Sequence, residues 1–447
     1  MRLSHAAQYL KASLMGDDHP YEGVSIDTRT LKPGELFIAF KGPQFDGHDF
    51  IEQAIAKKAA GVVVSRAIST RVPTLRVNNT HEALKTLARV AREQYAIPVI
   101  AITGSCGKTT TRALADSIFS QAGETLASQG SFNNDIGVPL TVLKLRDAHR
   151  FLVQEMGANH AGELRELTHL VKPDVAIITC AAPVHLEGFG SVEGVAKAKG
   201  EIFEGLRKEG TAIINADDEY CDYWKKLNTH RRFLTFGFHP SADVRASDLE
   251  RQEDGTIVFQ LHAVGKTARL HLPLIGEHNV MNALAASAAA IALHLPLDTI
   301  KAGLENAKAV ERRSVIKKGI QGAKIIDDSY NANPKAFSAA LQVLKLRVGK
   351  KILVIGDMAE LGPAARDFHH ALGLEAREQG VHALFCFGPL SKACALSFGE
   401  KGFHFDDKNK LVDALRKILD ENTTVLVKGS NSMGMDEVVA KLVTQNS

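Results

Sequence analysis

No run of about 18 apolar residues occurs in this chain of 447 residues, which excludes a membrane-crossing helix of ordinary length. The alanine-rich stretch 283–293 is shorter than a span and reads as a buried helix. The start, Met1-Arg2-Leu3-Ser4-His5, runs into an amphipathic polar pattern without an apolar signal core, so no membrane insertion is expected. Neither sign of charge dominates. With 54 Lys and Arg against 51 Asp and Glu the formal charge is +3, which argues against nucleic acid as a partner. The five cysteines are odd in number and lack any C-x-x-C spacing, as suits free thiols in a reducing cytoplasm. Low-complexity linkers, repeats and a G-x-G-x-x-G fingerprint are also missing. The length implies about three domains.

What is present starts at residues 97–111. The apolar run Ile97-Pro98-Val99-Ile100-Ala101-Ile102 ends in Thr103-Gly104-Ser105-Cys106-Gly107-Lys108-Thr109. Leu114, Ile118 and Phe119 then share one helical face. Strand, glycine loop, Lys-Thr and helix form a phosphate cradle. Glycines let backbone N–H groups approach phosphate oxygens, and a helix N-terminus favours negative charge. Lys108 can reach the β- and γ-phosphates, and the Thr109 hydroxyl can ligate Mg²⁺. The loop is two residues shorter than the common G-x-x-x-x-G-K-[ST] form.

Along the chain, residues 1–82 mix short strands and turns and read as a small α/β module. Residues 83–309 hold a helix, the phosphate-loop strand and two nearly continuous apolar runs at 151–156 and 175–180. Such runs fit strands covered on both faces, so a doubly wound parallel sheet is expected. Residues 310–447 alternate strands (324–328, 351–355, 383–387, 424–428) with helices, and read as a Rossmann-like α/β domain.

Ligands bind beyond the carboxyl ends of strands in such sheets. Lys108, Thr109, Glu155 and His185 all lie at such ends, and a hydroxyl, a carboxylate and an imidazole around phosphate suit Mg²⁺. Taken singly, Glu155 has the plainer reading of a surface carboxylate and His185 that of a loop residue; it is their shared placement beyond the strands that points to metal. Asn134 sits in a polar turn that reads equally as a connection. Asn282 fits either a base edge or a helix cap. Lys197 and Lys199 by default belong to a solvated helix face. The cluster 327–334 (Asp-Asp-Ser-Tyr-Asn-Ala-Asn-Pro), at the end of a strand, is more polar than a structural turn needs.

Together these motifs resemble the Mur ligase family of cell-wall enzymes over essentially the whole chain. They are the phosphate loop, Asn133 to Pro139, Glu155 to His160, His185 to Ile202, Asp327 to Asn333 and Gly356-Asp357-Met358-Ala359-Glu360-Leu361-Gly362. The resemblance is strongest to the member that adds D-alanyl-D-alanine to a UDP-N-acetylmuramoyl-tripeptide. It implies an ATP-dependent, ADP-forming ligase, cytoplasmic and monomeric, acting on those small molecules with ATP and Mg²⁺. It also implies three domains, for the UDP-sugar, for ATP and for closure with the incoming amine. Ser25, Asp27, Thr28 and Arg29 match its uridine segment. Gly104, Ser105, Cys106, Gly107, Lys108, Thr109 and Thr110 match its ATP loop, and Asn282 an adenine contact. Arg313 and Asp328 match third-domain contacts to the nucleotide. Asn134 matches a substrate position, and Asn331 and Asn333 match the dipeptide region. Thr109, Glu155, His185 and Lys199 match positions around magnesium, Lys199 being the lysine that is carbamylated in relatives. Two departures stand out. Glu311-Arg312-Arg313 replaces the usual Pro-Gly-Arg, and Cys106 replaces a common serine. A diaminopimelate-adding or folylpolyglutamate-type ligase is the alternative; the former's Asp-Asn-Pro-Arg motif is missing here. A non-catalytic ATP-binding module need not keep Glu155, His185 and Lys199 together.

Overall fold

The computed structural model describes residues 1–42, 45–130 and 132–444. Ser131, at the head of the Asn133-Asn134 tract, lies outside them. Among the described residues no helix is long and apolar enough to cross a membrane. The chain builds three sheets flanked by helices.

The first sheet has strand order Ser13–Met15, Thr74–Arg76, Gly61–Val64, Glu35–Ile38, Gly23–Ser25, with only the first pair antiparallel. The central sheet places Val99–Thr103 between Val175–Ile178 and Phe151–Glu155, all parallel. These three strands are buried along almost their whole length, as their apolar runs require. Helix Lys108–Phe119 carries Leu114, Ala115, Ile118 and Phe119 into the same core as the alanine-rich helix Glu277–Ala292. The small alanine side chains let the two helices lie close against the sheet.

The central sheet is parallel from Thr125–Ala127 through to Val244–Arg251, as a doubly wound sheet is expected to be, and beyond that it continues antiparallel. Val244–Arg251, Ile257–Ala263 and Lys266–Leu272 extend it as an antiparallel meander. Burial alternates strictly along Ile257–Ala263, so one face meets the core and the other meets water. Val264 and Gly265, both at positive φ, close the last hairpin in two residues, the geometry that matches strand twist. The third sheet runs Val315–Lys318, Lys324–Asp328, Thr423–Lys428, Lys350–Gly356, Ala383–Phe387, Gly402–Phe405. It is parallel except for its first pair.

Helix Thr80–Gln94 serves two cores. Ala83, Leu84 and Leu87 pack into the first unit, while Ala88 packs into the central one. Arg92, 2% exposed, donates to Val171 O at 2.7 Å and to Tyr95 O at 2.6 Å, which fastens the helix end to the central sheet.

Candidate active site

The phosphate loop is shaped by two glycines. Gly104 has φ +146°, and a Cβ there would lie 1.8 Å from Thr179 Oγ1. Gly107 has φ +79°, and a Cβ would lie 2.3 Å from Asn282 Oδ1. No other residue fits either place. The neighbouring strand end clamps the loop. Thr179 Oγ1 donates to Cys106 O at 2.5 Å, Ser105 N donates to Cys180 O at 2.9 Å, and Ala182 N donates to Ser105 Oγ at 2.9 Å. Lys108 Nζ folds onto Gly104 O at 2.7 Å.

The loop lines a cavity of about 380 Å³ that the third unit covers. Ser105, Gly107, Thr110 and Asn282 face it from one side, and Arg313, Asp328, Asn331 and Asn333 from the other. Arg313 Nη2 donates to Thr109 Oγ1 at 3.3 Å, and its guanidinium lies 4.0 Å from the Tyr330 ring centre. Asp328 accepts from Lys428 Nζ at 2.6 Å and from Ser314 N at 3.1 Å. In-register pairing of Asp328 with Lys428 puts both side chains on one face of the third sheet. Lys428 also donates to Asn331 O at 2.8 Å. Asn333 caps helix Pro334–Lys345 through Ala336 N, and its Oδ1 lies 3.3 Å from Cys106 Sγ. Asn282 therefore both lines the cavity and supports the loop, accepting from Thr111 Oγ1 at 3.3 Å.

Glu155, His185 and Lys199 lie outside that cavity lining. Glu155 is 3% exposed, accepts from Asn133 Nδ2 at 2.8 Å, and keeps Oε2 buried without a hydrogen-bond partner among the described residues. A buried anionic oxygen without a donor calls for a cation. Lys199 is 1% exposed, on helix Val192–Gly200, whereas Lys197 points outward to Glu193. The solvated-face reading thus holds for Lys197 and fails for Lys199. Lys199 Nζ lies 3.4 Å from Ala158 O and 5.3 Å from the Phe189 ring centre, with no carboxylate paired to it among the described residues. Burial, reinforced by the charge of Lys108, pulls its pKa down to about 7. A neutral, nucleophilic amine is then available near neutral pH. His185 has φ +49° and its Nδ1 is hydrogen-bonded to Glu360 of the third unit. Burial lowers its pKa, and the charges of Lys108 and Lys199 act the same way against Glu360. Among the described residues no three His, Cys, Asp or Glu side chains form a metal-binding group. A hydroxyl, one carboxylate and one imidazole would leave further Mg²⁺ positions to phosphate oxygens and water.

Of the expected uridine residues, Ser25 ends strand Gly23–Ser25 and Asp27, Thr28 and Arg29 follow it, with none of them in the cavity lining. Ser25 Oγ donates to Asp27 O at 3.1 Å, Thr28 Oγ1 donates to Gln53 at 3.1 Å, and Arg29 bonds Asp27 at 2.7 Å. Asn134 Oδ1 accepts from Gly137 N, the first residue of helix Gly137–Val142, at 2.9 Å. Sequence reasoning passed over Asn133, which holds Glu155, and Glu360, which meets His185. Both sat inside quoted motifs, but nothing in their spacing marked a side-chain role.

The match extends to known proteins. Residues 20–92 match the model of the Mur ligase family catalytic domain, 102–290 the Mur ligase middle domain and 311–431 the Mur ligase glutamate ligase domain. A UDP-N-acetylmuramoyl-tripeptide–D-alanyl-D-alanine ligase of Escherichia coli (strain K12) is 42% identical over 445 residues, covering 98% of both chains. The chain belongs to the Mur ligase family. Among solved Mur ligases, MurF from Acinetobacter baumannii superimposes with a TM-score of 0.92 at 34% identity, covering 98% of this chain and 97% of that one. MurF ligase from Thermotoga maritima in complex with ADP has a TM-score of 0.84 at 27% identity, over 94% and 96% of the two chains.

One departure from the usual Mur loop makes a prediction. Cys106 is half-buried, whereas Cys180, Cys221, Cys386 and Cys394 are buried. A hydrogen bond from the Cys180 thiol holds Cys106 below the usual thiol value against the effect of burial, aided by Asn333 and by the charges of Lys108 and Lys335. A small alkylating reagent should therefore modify Cys106 before the other four cysteines, and ATP with Mg²⁺ should slow the modification. Peptide mass spectrometry checks both. Equal rates with and without nucleotide would reject the accessible-thiolate reading.

Proposed function

We propose that this chain is an ATP-dependent ligase that joins D-alanyl-D-alanine to UDP-N-acetylmuramoyl-tripeptide. The observation that carries the reading is the cavity in which the phosphate loop and the third sheet meet through Arg313 and Thr109. The 42% identity over the full length to a relative named for that reaction supports the same choice of substrates. In this reading residues 1–82 hold the UDP-sugar through Ser25, Asp27, Thr28 and Arg29, residues 83–309 hold ATP, and residues 310–447 close over it. The protein acts as a cytoplasmic monomer.

A carboxylate is a poor electrophile and must be activated. The γ-phosphoryl of ATP passes to the terminal carboxylate of the tripeptide, giving an acyl phosphate and ADP. The dipeptide nitrogen then bonds to the acyl carbon as the bond from that carbon to the phosphate oxygen breaks. Starting from an ammonium, two protons are lost, one carried off on phosphate and one to solvent. Lys108 places a fixed positive charge where phosphate charge develops, and the loop N–H groups add oriented dipoles. Arg313 and Lys428 bring cationic charge from the third sheet when it closes. Closure also excludes water, which would hydrolyse the acyl phosphate.

The unpartnered Glu155 oxygen fits a cation at this place. Thr109, Glu155, His185 and a carbamylated Lys199 would hold magnesium. Bound there, it would neutralise phosphate charge as a Lewis acid.

Phosphate release should require ATP, Mg²⁺, the UDP-tripeptide and D-alanyl-D-alanine together. A panel of nucleotide-sugar peptides and acceptor amines, read by free phosphate, tests this. Equal turnover with free diaminopimelate or lysine as acceptor would overturn the assignment.

A further inference from the structure

The loop after strand Lys350–Gly356 is held from several sides. Met358 and Leu361 are buried. Asp357 accepts from Ser391 N at 2.7 Å and from Leu390 N at 3.1 Å. Met358 N donates to His369 Nε2 at 3.0 Å, and Ala359 N donates to Ser430 Oγ at 2.8 Å. In the middle of this rigid loop Glu360 adopts φ +61°, a conformation that residues with side chains rarely take. Such outliers persist where the surroundings over-determine them, and they gather at functional sites.

The outcome is a carboxylate aimed across the seam between the third unit and the central one. Glu360 O accepts from Leu186 N at 2.9 Å, and its side chain is bonded to His185 Nδ1. His185 in turn feels the charges of Lys108 and Lys199. Glu360 thus ends against the segment that follows strand Val175–Ile178, the same strand end whose Thr179 clamps the phosphate loop. The other carboxylates nearby are differently placed. Glu155 is sealed in the interior and bonded to Asn133. Glu163 is taken up by Asn159 N and His160. Glu187 is exposed beside Gly362. The Glu360 side chain keeps half its surface open to solvent.

We propose that Glu360 binds the ammonium group of the incoming dipeptide and holds its nitrogen toward the acyl phosphate. This rests on the ligase reading above. An ammonium needs an anionic partner, and a charge-assisted contact made by a rigid loop fixes direction as well as affinity. It also explains why this carboxylate belongs to the closing unit: the amine site is complete only when the seam is shut.

The test is steady-state phosphate release by the full chain, with each substrate varied in turn. Glu360→Gln should raise the KM for D-alanyl-D-alanine tenfold or more while the KM values for ATP and UDP-tripeptide move less than twofold. Glu360→Asp, which keeps the charge, should recover part of the loss. Glu187→Gln should leave the dipeptide KM within twofold of wild type. An unchanged dipeptide KM in Glu360→Gln would overturn the proposal. So would an equal rise for all three substrates, which is what loss of a mere latch between the two units gives. A dipeptide KM that responds to Glu187→Gln instead would place the ammonium elsewhere and overturn it too. Wild-type exchange of the β–γ bridging oxygen of ATP, with UDP-tripeptide present and dipeptide omitted, reports acyl phosphate formation alone. Its absence would bring down the ligase reading itself, whereas its presence with an unresponsive Glu360 would bring down only the role of Glu360.

Discussion

Lys108→Ala should lower turnover by on the order of 10²-fold or more, a loss of about 2.7 kcal/mol in transition-state stabilisation. The ammonium sits at the head of helix Lys108–Phe119 and, among the described residues, bonds Gly104 O alone, so it is free to move to phosphate. Its side chain is half-buried at a cavity wall rather than packed in a core, and the fold should survive its removal. Phosphate release and thermal melting of the same preparation separate the two effects. Near-wild-type turnover would remove Lys108 from the mechanism, and a collapsed melting temperature would make it structural.

Lys199→Ala should lose most activity, and added formate or acetate should restore part of it. Lys199 is an interior amine without an ion-paired carboxylate among the described residues. Leaving a charge there is costly. Reaction of the neutral amine with CO₂ releases one proton and turns an uncharged site into a carboxylate, which together with Glu155 would supply oxygen ligands for a cation. A ¹³C signal from labelled bicarbonate on the wild-type protein, missing in the alanine variant, would report the carbamate directly. A fully active alanine variant would sink both the carbamate and the magnesium role of this residue.

Much of this was legible in the residues. The phosphate loop showed itself because a β-branched run, two glycines and Lys-Thr obey local rules that tertiary context seldom overrides. Glu155 and Lys108 could be placed because strand ends are readable from where apolar runs stop. The meander after residue 243 was not read. Its strands are half-solvated, and their alternation in Ile257–Ala263 is weaker to the eye than a continuous run. The strands Val315–Lys318 and Gly402–Phe405 are short edges with little apolar signal of their own. Helical spacing sets Lys199 on the face of Val192, Val195 and Ala196 and leaves Lys197 off it, but a lysine is ordinarily solvated, so the pattern alone gave no reason to bury one. The pairing of His185 with Glu360 joins residues 175 positions apart and no local pattern encodes it.

The chain enters its third unit at Glu311-Arg312-Arg313, the tract that departs from the Pro-Gly-Arg expected by resemblance. Arg312 has φ +61°, a backbone state natural to glycine and costing a side-chain-bearing residue about 1–2 kcal/mol. Its guanidinium donates to Ser329 O at 2.9 Å and to Asn431 Oδ1 at 3.3 Å, and it pairs with Asp436 at 3.1 Å. All three partners belong to the third unit. The strained residue is therefore fixed to the third unit, and a hinge for the closure proposed above would lie in the residues before 312. In that closure Arg313 would travel as the tip of a stiff lever. Whatever displaced its guanidinium from Thr109 would work against the whole arm, so one hydroxyl in the phosphate loop would bear, as torque, on the position of the third unit.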